Sequence, residues 1–66
     1  MILRYEFTED EKMFLKKMHF SFFDEMEDEK AADLVDAIAD NIQELNEDDR
    51  NIAEDIITKI TTHPDW

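Results

Sequence analysis

The sequence predicts an all-α fold: a small three-helix domain with a C-terminal helical hairpin and an N-terminal extended arm. Three observations carry this expectation. Apolar residues recur at helical spacing from about Asp28 to Leu45 and again from about Glu47 to Thr61. Thr8-Glu9-Asp10-Glu11 has the form of a capping box that opens a further helix. Against these stands one alternating stretch, residues 2–7. With 66 residues, the chain is expected to form a single acidic domain over 1–66.

The arm comes first. In residues 1–7, Leu3, Tyr5 and Phe7 share one side while Ile2, Arg4 and Glu6 share the other, which is the period of a strand. A lone strand leaves its backbone groups unsatisfied, so the segment either pairs or lies extended over the helices. Met18-His19-Phe20-Ser21-Phe22 also alternates and is a minor option as a parallel partner. The connection between the two stretches is short for a parallel crossover.

The first helix is expected over about 9–19. Glu9, Asp10 and Glu11 suit the positive end of its dipole, and Phe14, Leu15, Met18 and Phe22 recur on one face. Met13, Phe20 and Phe23 fall off that face, which places a break near Phe20 to Asp24 and makes the three residues candidates for self-association. The second helix, about 28–45, gathers Ala31, Leu34, Val35, Ile38, Ile42 and Leu45 into one stripe about 100° wide. Asn46 can end it in the left-handed conformation, and Asn46 or Asp48 can cap the third helix. That helix, about 47–61, is expected to bury Ile52, Ala53, Ile56, Ile57 and Ile60. Pro64 stops it, and Trp66 is expected to fold back on a helix end. The short 45–48 connection makes the last two helices a hairpin.

Charge singles out the middle of the chain. The formal net charge is -12, and residues 24–49 alone carry -11, because Lys30 is their one base. On the second helix, Glu29, Asp33, Asp36, Asp40 and Glu44 form a narrow stripe opposite the apolar one. Glu29–Asp33, Asp36–Asp40 and Asp40–Glu44 are like-charge pairs at i,i+4, each costing a few tenths of a kcal/mol, about 0.2–0.5. Such a row, with carboxylates about 5–6 Å apart along the axis, suits a basic groove and resembles a phosphate backbone in sign. The bland alternative is a solvated face that keeps the protein soluble. Lys12, Lys16 and Lys17 form the one basic cluster, and its simplest use is solubility.

Several functions are excluded or disfavoured by composition. The chain has no Cys, which removes disulfides, thiolate zinc sites and cysteine nucleophiles, and no Gly, which removes phosphate-cradling loops and the EF-hand turn. Neither acid-rich stretch, 24–29 or 46–49, holds the EF-hand ligand spacing. His19 and His63 stand in no metal-ligand spacing, and so short a helical chain has little room for a walled pocket of about 300 Å³. No catalytic residue, cofactor or metal is expected. No apolar run reaches the roughly 18 residues a membrane helix needs, and the N-terminus lacks the features of a signal peptide. A cytoplasmic location follows as the expectation, and a surface this acidic repels both nucleic acid and anionic lipid.

The function expected is that of a small acidic regulator or inhibitor. It would present Glu29, Asp33, Asp36, Asp40 and Glu44 to a basic protein, in particular a nucleic-acid-binding one whose groove the acids would fill. The alternative is a structural homo-oligomer, in its simplest form a homodimer, that associates through aromatic residues and uses the acids for solubility.

Overall fold

The computed structural model describes residues 2–20, 22 and 24–64, which form two strands and three α-helices. The order is β1 (Ile2–Arg4), α1 (Glu9–Lys17), β2 (Glu25–Glu27), α2 (Asp28–Asn41) and α3 (Glu47–Thr61), with a 3₁₀ turn at Ile42–Glu44 between the last two. Helix dominates at 67%, so the small helical domain stands. The all-α class is met only in part, because β1 and β2 form a two-stranded antiparallel sheet.

The sheet corrects the reading of the arm. Leu3 lies opposite Met26, with Ile2 opposite Glu27 and Arg4 opposite Glu25. The Tyr5 amide extends the ladder by donating to the Asp24 carbonyl at 2.8 Å. The partner is therefore Glu25-Met26-Glu27, and it runs antiparallel, whereas the sequence favoured an unpaired arm and offered 18–22 in parallel only as a minor option. Alternation decides which side is buried: Leu3, Tyr5, Phe7 and Met26 are buried, while Ile2, Arg4, Glu6, Glu25 and Glu27 are exposed.

α1 begins as the sequence predicts. The Glu11 amide donates to Thr8 Oγ1 at 3.2 Å, and the Thr8 amide donates to Glu11 Oε1 at 2.7 Å, closing the capping box. The helix ends at Lys17, two residues early, in a Schellman turn. Phe20 N–H donates to the Leu15 carbonyl at 2.9 Å and His19 N–H to the Lys16 carbonyl at 3.1 Å. That turn requires a left-handed residue, and in a chain without Gly the position falls to His19, at φ 61°. Phe20 then packs back on the core.

α2 follows β2 without a loop and buries Ala31, Leu34 and Ile38. Its α-helical hydrogen bonding stops at Asn41. Ile42 and Leu45, expected on the same stripe, continue it as half-buried residues through the 3₁₀ turn. Asn46 does not end this helix in the left-handed region; at φ -70° and ψ 173° it caps α3 instead, its side-chain oxygen accepting from the Asp49 amide at 2.8 Å. α3 buries Ala53, Ile56 and Ile60, with Ile52 and Ile57 half-buried beside them. These residues close one core with Leu3, Tyr5, Phe7, Phe14, Leu15 and Met26. No described helix is long and apolar enough to cross a membrane.

The end of α3 also lies along the outer side of β1 and of the extended segment after it, taking a carbonyl from each. The Lys59 ammonium donates to the Glu6 carbonyl at 2.6 Å, and His63 Nε2 lies 2.9 Å from the Arg4 carbonyl. A carbonyl only accepts, so this ring nitrogen carries a proton. Two acceptors two residues apart on an extended chain thus meet two donors four residues apart at the end of a helix. The two spacings, about 6.7 and 6 Å, match.

Candidate functional site

α2 is amphipathic enough to place its acids without ambiguity. With Ala31, Leu34 and Ile38 buried against α3 and β2, the opposite face must meet solvent. Glu29, Asp33, Asp36, Asp40 and Glu44 are all exposed, the last of them on the 3₁₀ turn. The sequence had placed Glu44 on the α-helix, whereas the tighter turn carries it.

The described ion pairs lie elsewhere. Arg4 pairs with Glu25 across the sheet, Lys17 with Asp49 at 2.9 Å between α1 and α3, and Lys59 with Glu11 at 2.6 Å. Lys17 is thereby engaged within its own chain, while Lys16 is exposed and Lys12 half-buried. Glu25 raises the Arg4 guanidinium above its ordinary value, through a hydrogen bond first and its charge second.

Of the three self-association candidates, Met13 is 66% exposed on α1. Phe20 is half-buried against the core, and Phe23 lies outside the described residues, as does Trp66. The aromatic side chains that are described mostly build the interior. Tyr5 stacks on Phe7 with ring centroids 5.8 Å apart and meets His63 edge-on at 5.1 Å, and Phe7 meets Phe22 edge-on at 6.0 Å.

Sequence reasoning missed a hollow. The N-terminal arm, α1 and α3 enclose an open groove of about 750 Å³, lined among others by Tyr5, Asp10, Ile52, Asp55, Lys59 and His63. The chain length had left little room for a walled pocket, and this groove is open rather than walled; the arm folded across α3 forms it. Its nitrogen groups are engaged: Arg4 with Glu25, Lys59 with Glu11 and the Glu6 carbonyl, and His63 with the Arg4 carbonyl. That leaves exposed carboxylates, Glu6, Asp10 and Asp55, around the groove. Glu11 beneath is 4% exposed; burial raises its carboxyl, but the hydrogen bonds from Lys59 and Thr8 outweigh burial and hold it below the ordinary 4.5. Among the described residues, no group of three His, Asp or Glu side chains is placed to hold a metal ion.

Compared with protein-family models, with curated proteins and with solved structures, the chain matches none.

Proposed function

We propose that the protein is a small acidic binding module, a regulator or inhibitor rather than an enzyme, that engages a basic protein surface. The observation that supports this is the exposure of all five stripe carboxylates on one side of α2 and its 3₁₀ extension, apart from every described ion pair. A face that serves solubility alone gains from mixing signs, because i,i+4 opposite pairs add about 0.3–0.5 kcal/mol. This face holds like charges instead. A basic groove would gain from all five at once, and a groove that normally holds nucleic acid is the most demanding form of that partner.

Binding of this kind is weakened by salt. The test is capture of a partner from the native cell at low salt, followed by a salt elution series with the parent and with the double variant Asp36→Lys, Asp40→Lys. A basic protein that elutes as salt rises, and that the folded double variant fails to hold, supports the proposal. Equal binding by the variant ends it. Exposed Met13 keeps a second reading alive, a homodimer in which the acids only solubilise. Sedimentation equilibrium showing a 7.9 kDa species over a hundredfold concentration range would remove that reading.

A further inference from the structure

The two strands of the sheet have unlike outer edges. On the β1 side, the outward carbonyls of Arg4 and Glu6 are taken by His63 and Lys59. On the β2 side the register turns Glu25 N–H, Glu25 C=O and Glu27 N–H outward, because Tyr5 N–H bonds Asp24 and alternate pairs of an antiparallel ladder face inward. Among the described residues, no hydrogen bond reaches these three groups. A hollow of about 390 Å³, bordered by Ile2 of β1 and by Glu25, Met26, Glu27 and Lys30, spans this end of the sheet. An uncovered edge of this kind is a template for another strand.

Charge selects the occupant. Asp24, Glu25, Glu27, Asp28 and Glu29 outnumber Arg4 and Lys30 around this edge. A second copy paired edge to edge would set glutamates against glutamates, which disfavours it. A strand with Lys or Arg at alternate positions would set cations against Glu25 and Glu27. Arg4 already occupies that relation to Glu25 from the other side, donating through Nε at 3.1 Å and through Nη2. We propose that β2 accepts a basic strand of a partner protein at its outer edge, with backbone hydrogen bonds to Glu25 and Glu27 and ion pairs to their side chains. This rests on the basic-partner reading above and adds a second, differently shaped contact to the stripe.

The probe is a synthetic peptide that alternates lysine and valine, and the control carries the same lysines with proline in place of valine. Amide resonances and hydrogen exchange of Glu25 and Glu27 are followed by NMR as each is added. The lysine–valine peptide is expected to shift both amides and slow their exchange several-fold, and the proline control to do neither. Glu27→Pro should weaken binding about tenfold, by removing one outward donor. Glu27 sits at φ -70° and ψ 154°, a conformation proline adopts, and as the N-cap of α2 it owes no amide to the helix. Glu27→Gln keeps the amide and should weaken binding less, with a shallower salt dependence, so the proposal stays testable should the proline variant fail to fold. Equal affinity for the two peptides, or binding without change at Glu25 and Glu27, overturns the proposal. The double variant Asp36→Lys, Asp40→Lys separates the two sites. In that variant, lost partner binding with the Glu25 and Glu27 response kept supports both readings. Retained partner binding ends the stripe reading alone, and Glu25 and Glu27 unmoved by the peptide in the parent ends the edge reading alone.

Discussion

Lys59 and Glu11, 48 residues apart in sequence, stand 2.6 Å apart and tie the last helix to the first turn of α1. The same Glu11 oxygen accepts from the Thr8 amide, so one buried carboxylate completes both a helix cap and a tertiary ion pair. Lys59 is the less buried partner, its side chain 31% exposed against 6% for Glu11, and its ammonium also lies 5.6 Å from the centroid of the Phe7 ring. This arrangement places the cost of breaking the pair on the acid.

Lys59→Met therefore leaves Glu11 buried with the Thr8 bonds alone, and should lower stability by about 2 kcal/mol, less than a fully buried pair would lose. Urea denaturation measures it. Adding Glu11→Gln to that variant should restore part of the loss, since the stranded charge is removed. The pH dependence follows from the same site. The native carboxyl titrates below 4.5, so its contribution is complete above that pH and is lost as pH falls through the lowered native value. Glu11→Gln should flatten the parent's loss of stability in that range.

Tyr5 gives the opposite sign at the alkaline end. Its ring is buried, its hydroxyl has no hydrogen-bond partner among the described residues, and burial first, with the charge of Asp28 second, raises the phenol above 10.0. The neutral phenol's contribution is complete below pH 10.0 and is lost as pH rises through the raised native value. Tyr5→Phe should be neutral or stabilising by up to about 1 kcal/mol at pH 7, and should remove that alkaline loss. A clear loss at neutral pH would mean that the hydroxyl is bonded.

These two sites differ in how far the sequence revealed them. Thr8 and Glu11 are readable as a capping box from spacing alone, whereas Lys59 as the third member is a tertiary fact that no local pattern carries. β2 was hidden for another reason. Glutamate is a poor strand former, so Glu25-Met26-Glu27 reads as part of an acid-rich patch. Its one signal was an apolar residue between two acids, the alternation that buries Met26 at 4%. Asn46 was ambiguous between ending α2 and capping α3, because Asn suits both positions. The acidic stripe was legible from helical spacing and charge except at Glu44, which the 3₁₀ turn rather than the α-helix carries.

His19 offers a direct test of the turn after α1. A left-handed non-glycine residue is strained by about 1–2 kcal/mol, somewhat less for His, which visits that region more readily than most. His19→Gly should therefore raise stability by about 0.5–1 kcal/mol, seen as an upward shift in melting temperature. His19 is exposed, so the change removes no packing. A fall in stability would show that the imidazole contributes a contact worth more than the strain.

The acidic helix itself predicts an inverse relation between charge and stability. Asp40 lies four residues after Asp36 and four before Glu44, and it sits in the last turn of α2, where the dipole disfavours an anion. Asp40→Lys turns two repulsive pairs into attractive ones and complements the dipole, so it should stabilise the protein by about 0.5–1.5 kcal/mol at low salt. Raising ionic strength from about 0.01 to 0.15 M shortens the Debye length from about 30 to 8 Å. The parent should therefore gain in melting temperature over that range, and the advantage of the variant should shrink. Ile38→Asp is the matching control on the other face: Ile38 is 0% exposed, and a charge there has no partner and no water. That variant should not fold. If the two substitutions proved equally damaging, the exposed side of α2 would be making contacts that hold the fold together, and a row of acids kept there for a partner would lose its physical basis.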